Sequence, residues 1–582
     1  MKWAYLGEDT GLFLRTRPHF SGAERIGTAA RLQNIAVSLR QEYIDYVGRL
    51  SCTFHSPDWW ASELPEKNSS ISTVFRNTCY VRLAMELARA EAGFPLVLVA
   101  ETHVLRRTLS HQLRHLSVAA VSETRPWAER CAWAVALSRH AYYALRTLYY
   151  VMAAKWVLWR NGVPGVGHLK GRDLTVFFDW VDSRSVDGSG RYQDVYFGDL
   201  PARLKARNEA VAHVAFVLPT VSYTRTIAAL LRTNQCFVFP FACLTVADVL
   251  SAAWRSLCLK PQQRASYPEF AGVNVDGFIQ DDAARFWRTA MRFFPLLRWY
   301  LVRRWRRQGL NIRSVFHLYE GMRWERVLCL AIREFFPQAV VTGYAHSSFC
   351  WMKLDHFYSS YEAGLIPIPD RLLANGPRYI EVFKSAGFDE SRLVEVGAFR
   401  YRYLYEPAPA QGRPRSRQGR PTILVALPIQ ANAGSELAWQ AIEALRDCPE
   451  YSVLIKCHPV TPAHLLDGDL ERALPAHFSF TELPMDALWD KVDLLLYSNS
   501  TVCLEALATG VPVVNVSSEL VIDMDPLDVL PELRRVARNA EELRRFVKQA
   551  IEARNTDTVS ERARWRCAVE SMLGPVKPTL DI

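Results

Sequence analysis

The 582-residue chain contains no Cys-x-x-Cys pair. Its 12 cysteines, Cys52, Cys79, Cys131, Cys236, Cys243, Cys258, Cys329, Cys350, Cys448, Cys457, Cys503 and Cys567, stand apart and mostly in apolar runs. Such spacing indicates neither a zinc site nor a disulfide framework, and small core thiols in a reducing cytosol are the expectation. No segment approaches the roughly 20 uninterrupted apolar residues that a membrane span needs. The opening M-K-W-A-Y-L-G-E-D-T-G has no apolar stretch of signal-peptide length before its first acids. One sign of charge does not dominate either: 70 basic against 60 acidic residues leave a net +10. That is too modest for this length to imply nucleic-acid binding, and it suits an anionic substrate or an anionic membrane surface.

What the chain does have is an apolar fraction of 49%, enough for fully buried sheets, and a length that suggests roughly two to four domains. The clearest boundary is Glu406 to Arg420, E-P-A-P-A-Q-G-R-P-R-S-R-Q-G-R, where proline, glycine and arginine replace the periodic pattern. Residues 406–421 are therefore read as a linker between a first unit, 1–405, and a second, 422–582. Beyond the linker, candidate strands at Thr422 to Leu427, Ser452 to Cys457, Asp493 to Tyr497 and Pro512 to Val516 alternate with helical patterns such as Glu436 to Arg446. Before it, candidate strands are Leu96 to Ala100, Thr175 to Asp179, His213 to Leu218, Cys236 to Pro240, Ser314 to Tyr319, Ala339 to Tyr344 and Arg371 to Ala374. Strands alternating with helices predict an α/β fold with parallel sheets, and two such domains create a cleft at the carboxyl ends of their strands.

Helical insertions interrupt the first unit at about 104–165 and 281–310. Cys131 to Arg160 interleaves Trp133, Tyr142, Tyr143, Tyr149, Tyr150, Trp156 and Trp159 with Arg139, Arg146, Lys155 and Arg160. Asp281 to Leu310 repeats the style with Arg285, Arg288, Arg292, Arg298, Arg303, Arg304, Arg306 and Arg307 among tryptophans and phenylalanines. Basic aromatic helices can lie in an anionic headgroup region, or pack on their own domain with arginines at the rim.

The segment Leu494 to Val514, L-L-L-Y-S-N-S-T-V-C-L-E-A-L-A-T-G-V-P-V-V, reads as strand, polar turn, helix and strand. Ser498, Asn499, Ser500 and Thr501 supply hydroxyls and free N–H groups where the helix opens, which suits a phosphate or a simple helix cap. Lys456, His458 and Pro459 close a strand two elements earlier, making His458 a phosphate ligand or general acid candidate. Glu505, about one turn into the helix, is placed to accept from ribose hydroxyls. In the first unit the strand ending at Tyr319 runs into Glu320, the candidate base for an acceptor hydroxyl. Glu325 is read as orienting substrate or pairing with an arginine, and His346, Ser347 and Ser348 as lying beside Glu320. The loop Phe178 to Pro201 offers Asp179, Asp182, Arg184, Ser185 and Asp187 for acceptor hydroxyls, nucleophilic attack or, less favourably, a metal. Asp523 and Asp525 match a D-x-D pattern in form only, and no metal is expected.

At K-C-H-P and S-N-S-T-V-C-L-E-A-L-A-T-G-V-P-V-V the chain resembles GT-B glycosyltransferases of bacterial surface polysaccharides, particularly HP-motif sialyl- and Kdo-transferases using CMP-activated sugars. W-V-D-S-R-S, Y-F-G-D-L-P, Y-E-G-M-R-W-E and G-Y-A-H-S-S-F resemble large O-antigen or capsule biosynthesis proteins. The resemblance implies that His458, Ser498, Ser500 and Thr501 contact the CMP phosphate and that Glu320 is the acidic base. Tyr319 stands where the family motif has its first acid. A retaining reaction would use an aspartate such as Asp182 as nucleophile; an inverting one would use Glu320 alone. The expectation is a cytoplasmic enzyme, peripheral at the inner membrane face, moving Kdo or a related ulosonic acid from CMP to a free or lipid-linked surface glycan. A CDP-polyol phosphotransferase and a non-catalytic assembly subunit are the alternatives.

Overall fold

The computed structural model describes residues 1–113, 118–120, 131–187, 189–259, 266–405, 419–553 and 559–579. Runs of Val, Leu, Ile and Phe buried on both faces form strands that pair in parallel. The first sheet contains β1 (Lys2–Leu6), β2 (Glu24–Arg25), β3 (Leu96–Ala100) and β4 (Val118–Ala120) in the order β2-β1-β3-β4. The second takes β5 (Asp173–Val181), β6 (Ala210–Val217), β7 (Phe237–Val238), β8 (Asn311–Leu318), β9 (Val340–Ala345), β10 (Arg371–Ala374) and β11 (Leu393–Glu395). Its order is β11-β10-β9-β8-β5-β6-β7. The third contains β12 (Thr422–Ala426), β13 (Ser452–Lys456), β14 (Phe478–Phe480), β15 (Leu494–Tyr497), β16 (Val513–Val516) and β17 (Val536–Ala537), ordered β14-β13-β12-β15-β16-β17.

The second and third sheets make the two Rossmann-like units of the expected α/β architecture. Leu96–Ala100 pairs with Lys2–Leu6 in the separate first sheet, so it does not join the strands that follow Asp173. This small sheet docks on the third unit through Thr10 Oγ1 to the Asn432 carbonyl and Thr28 Oγ1 to the Glu519 carbonyl, each 2.8 Å. The linker expected at 406–421 falls largely outside the described residues. Because every pairing is parallel, the loops after β8, β9, β13 and β15 leave from carboxyl ends and meet across one seam. An apolar cluster closes beneath it, joining Tyr319 and Phe349 of the second unit to Leu424, Leu495 and Cys503 of the third.

The chain crosses that seam a second time. The helix Val559–Met572 packs Val569 and Met572 into the shared cluster, and the residues after it return to the second sheet. Ala398 N–H donates to the Gly574 carbonyl at 2.8 Å and Lys577 N–H to Val396 at 3.0 Å. The approach is so close that a Cβ on Gly397, whose φ is +86°, would sit 2.3 Å from the Pro575 carbonyl oxygen.

The two aromatic insertions differ. The helix Phe293–Arg307 is an internal support that buries Leu296, Leu297, Leu301 and Trp305. Arg303 and Arg304 turn to Asp248 at 3.2 and 2.7 Å, and Arg292 to Glu63 at 2.8 Å. The helix Ala132–Arg160 instead leaves Leu145, Tyr149, Met152, Trp156 and Trp159 exposed, a stripe advancing by alternate steps of four and three residues. Val246, Leu250 and Trp254 are likewise exposed on a helix packed against this one. Among the described residues no helix is long and apolar enough to cross a membrane.

Candidate active site

β8 ends at Leu318, and Glu320 and Gly321 turn the chain toward the helix Arg323–Phe335. Gly321 has φ +72°, and a Cβ there would stand 2.2 Å from the Asp355 carbonyl oxygen, so only glycine fits. Glu325 is buried and accepts the Glu320 N–H at 3.0 Å and the Gly321 N–H at 3.1 Å. Burial, and then the Glu320 charge, push its carboxyl well above the usual range. Glu325 therefore acts within the protein, fixing the turn that presents Glu320, rather than facing a ligand or pairing with an arginine.

The Glu320 carboxylate is 32% exposed and lies 3.7 Å from His346 Nε2. His346 follows β9, is buried, stands edge-on to Tyr196 at 5.1 Å and has no partner for Nδ1. Burial, followed by the charges of Arg400 and Lys353, holds this imidazole neutral well below its ordinary pKa. Ser347 is half-buried, its hydroxyl 3.5 Å from the Ser348 carbonyl. Ser348 Oγ reaches across the seam to Thr501 Oγ1 at 2.7 Å.

On the opposite wall, Lys456 ends β13 half-buried, and His458 sits in the turn that follows. The Val460 N–H donates to His458 Nδ1 at 3.2 Å, which assigns the proton of the neutral ring to Nε2. Burial, then Arg400, lowers this histidine's pKa. Ser498 is buried with its hydroxyl unpartnered, while its carbonyl accepts Asn515 Nδ2 at 3.0 Å. Asn499 Oδ1 accepts the Met524 N–H at 3.0 Å, and Ser500 Oγ accepts the Val502 N–H at 3.4 Å. The helix that opens here, Val502–Ala508, has seven residues. Glu505 is buried on it and accepts the Tyr403 hydroxyl at 2.5 Å, its pKa raised by burial. Of the four turn residues, Ser498 thus keeps an uncommitted hydroxyl, whereas Asn499 and Thr501 are already engaged.

Between the walls stands Arg400, which no motif announces. It belongs to the short 3-10 segment Phe399–Leu404, with Tyr196 and Tyr401 rings each 5.4 Å from its guanidinium carbon. Tyr401 contributes most to raising its pKa, and Glu505 and Glu320 add to the effect. Arg400 is thus the cation sensed by His346 on one side and by His458 and Glu505 on the other.

The Phe178 to Pro201 loop divides into two parts. Asp179 is buried, bonded through Oδ2 to His213 Nδ1 at 2.5 Å and to the Tyr192 hydroxyl at 3.0 Å. Burial raises its carboxyl pKa, lifts Asp194 to about 8 and drops His213 to about 4. Asp179, Asp194 and His213 offer ligand atoms within 4.8 Å of one another, close enough in spacing for a metal ion. Asp179 is consequently an interior group, not an open acceptor ligand. Asp182 is clamped by Arg184, whose terminal nitrogen is 2.6 Å and whose backbone N–H is 2.8 Å from its oxygens. Arg184 lines a cavity of about 680 Å³ shared with Asp194, Arg400 and Tyr403. Asp187 folds its own loop through Ser189 and the Arg191 N–H. Asp523 and Asp525 are buried against Arg534, at 3.4 and 2.6 Å, with Asp525 also accepting the Tyr497 hydroxyl at 2.8 Å. That places the D-x-D pair in a structural ion cluster.

No family model and no curated protein matches the chain. Among solved structures it is similar to the UDP-GlcNAc 2-epimerase of Neisseria meningitidis bound to UDP-GlcNAc, at 10% identity and TM-score 0.38, over 69% of this chain and 96% of that one. Anabaena HepE in complex with UDP-glucose matches at 12% identity and TM-score 0.38, over 69% and 95%. The glycosyltransferase SnogD of Streptomyces nogalater matches at 14% and 0.33, over 69% and 96%. Fits this loose leave the chemistry to be read from the site's own geometry.

Proposed function

We propose that the protein is a GT-B glycosyltransferase that moves a sugar from a nucleotide donor to an acceptor hydroxyl. The observation that carries the reading is that Arg400, stacked on the Tyr196 ring that also stands against His346, is the one cation acting on the histidines of both walls, His346 beside Glu320 and His458 on the donor side. In this reading Arg400, His458 Nε2–H and the Ser498 hydroxyl hold the phosphate beside the sugar's anomeric carbon. Glu320 takes the proton of the acceptor hydroxyl, whose oxygen bonds to that carbon from the opposite face. The carbon–oxygen bond to phosphate breaks, and its electron pair leaves on the phosphate oxygen.

One in-line displacement inverts configuration. Asp182 is less suited to be a nucleophile, because Arg184 occupies its oxygens. The cationic groups supply the charge that a divalent ion would otherwise bring, so the transfer is proposed to be metal-independent. The K-C-H-P and S-N-S-T motifs favour CMP as leaving group and Kdo or a related ulosonic acid as the sugar, passed to a surface glycan. The exposed Leu145 to Trp159 stripe lies on a helix with no acidic residue and four basic ones, which suits peripheral contact with an anionic bilayer.

The test is a thermal-shift panel of CMP, CDP, UDP, GDP and ADP on wild type, His458→Ala and Arg400→Ala. Stabilisation by CMP that both substitutions abolish supports the reading. A preference for UDP or GDP removes the CMP assignment, and indifference to every nucleotide removes the transfer reading itself.

A further inference from the structure

A cavity of about 720 Å³ opens behind Glu320 and His346, between the helices Ala132–Arg160 and Phe293–Arg307. Its walls are aromatic and aliphatic, with Tyr150, Trp180, Phe216, Phe294, Leu301 and Trp324 among them. A sugar ring can stack its C–H face on one aromatic wall, but its hydroxyl edge gains little where apolar walls stand on several sides, whereas a hydrocarbon chain gains along its whole length; Glu66 and Glu320 are the carboxylates at the lining. Three arginines line the space, and two are committed: Arg146 donates to the Tyr150 hydroxyl at 3.2 Å, and Arg323 pairs with Glu66 at 2.6 Å.

Arg298 is the exception. It is 8% exposed and closes no ion pair among the described residues. Nε has no partner, and the one hydrogen bond, to the Phe294 carbonyl, is 3.5 Å long. Its guanidinium is stacked among Trp324, Phe216 and Trp180 at 4.6, 4.9 and 5.8 Å. The acid whose field it senses is Glu325, which burial biases toward its neutral form. A cation buried against aromatic faces with no ion pair among the described residues, at the wall of an apolar cavity, has donors left for an anion. The planar fork of a guanidinium matches an oxyanion in two-point fashion.

We propose that this cavity binds an amphiphile, its hydrocarbon chain against the aromatic walls and its oxyanion headgroup, a phosphate ester or carboxylate, on Arg298. The inference rests on the transfer reading in one respect: the bound amphiphile is the acceptor, and its hydroxyl-bearing end meets Glu320. The helix that gives Tyr143, Arg146, Thr147 and Tyr150 to the cavity exposes its apolar stripe on the other face, so the same helix that walls the cavity also presents an apolar surface.

Isothermal titration below micelle concentrations tests it, with dodecyl phosphate, dodecanoate, dodecanol and inorganic phosphate as probes. Wild type is expected to bind dodecyl phosphate or dodecanoate at least tenfold tighter than dodecanol, and any inorganic phosphate bound should be unaffected by Arg298→Gln. Arg298→Gln should erase the advantage of the oxyanion, Arg298→Lys should keep part of it, and Leu218→Trp, at the half-buried rim, should weaken every chain-bearing probe. Wild-type affinities in Arg298→Gln, or no binding of any chain-bearing probe, overturn the proposal. Should Arg298→Gln fail to fold, an undiminished affinity in Leu218→Trp overturns it equally. A protein that binds dodecyl phosphate yet no nucleotide loses the transfer reading and keeps this site. One that transfers sugar to a chain-free acceptor without competition from dodecyl phosphate keeps the transfer and loses this site.

Discussion

The hydroxyls of Ser348 and Thr501 lie 2.7 Å apart, and that bond ties the loop after β9 to the turn after β15. If the proposed donor site takes phosphate on Thr501, as the family resemblance implies, a bound nucleotide competes with Ser348 for that hydroxyl. Ser348→Ala is expected to tighten nucleotide binding by up to about fivefold, the worth of roughly 1 kcal/mol of hydrogen bond, while Thr501→Val weakens it. Titration of both variants against the same nucleotide decides; equal effects of the same sign would remove the competition.

Glu320→Gln keeps the size of the side chain and loses the base. Turnover is expected to fall by about 10²- to 10⁴-fold with little change in donor affinity. Glu325→Ala should also reduce turnover, through release of the Glu320 and Gly321 N–H groups. It should lower stability as well, which Glu320→Gln should not.

His317 is fully buried, its Nδ1 bonded to the Leu318 carbonyl at 2.7 Å and its Nε2 unpartnered, and burial lowers its pKa to about 4. An unfolded histidine titrates near 6.5, so between these values the unfolded chain binds the proton and the folded one does not. Stability is therefore expected to fall as pH drops from about 6.5 toward 4, by on the order of 3 kcal/mol from this group. Urea titrations across that range should show a shallower acid limb for His317→Phe, whatever its stability at neutral pH.

Arg534→Met leaves Asp523 and Asp525 buried without their cation, and a loss of about 3–5 kcal/mol is expected at pH 7. Burial already raises both carboxyl pKa values, and losing the cation raises them further. A buried acid with a raised folded pKa stabilises the fold only while protonated. The variant should thus recover part of its deficit as pH falls toward 5, measured by thermal unfolding. If a metal held this pair instead, chelation of the wild type would reproduce the deficit.

Flotation with anionic liposomes should depend on the apolar stripe more than on the arginines of the second aromatic helix. Substituting Leu145, Tyr149 and Trp156 by serine is expected to reduce the floated fraction severalfold. Arg306→Gln with Arg307→Gln should reduce it less. The arginines beside them, Arg303 and Arg304, are already occupied by Asp248.

The strands of the second and third units could be read because parallel strands buried on both faces are written as apolar runs, L-L-L-Y or V-V-N-V. Of the first sheet only Leu96–Ala100 was legible as a strand; K-W-A-Y-L is short, and its pairing partner lies some ninety residues on, so the sheet they make together was not. Glu320, His346 and His458 were legible as polar residues at strand ends. Arg400 was not, for F-R-Y-R-Y-L carries no pattern and its role comes only from the approach of two domains. The loop aspartates looked accessible because burial of Asp179 depends on Tyr192 and His213, contributed by a later turn and a neighbouring strand. Arg298 was visible only as one of many arginines, and its isolation is a property of what surrounds it.

The return of the chain past Gly397 bears on how the cleft can move. Residues 574–577 bond to Val396 and Ala398 of the second unit, while Val569 and Met572 just before them pack into the cluster shared with the third. Any opening of the cleft therefore bends two crossings of the chain at once, which favours a hinge about one axis over free swinging of either unit.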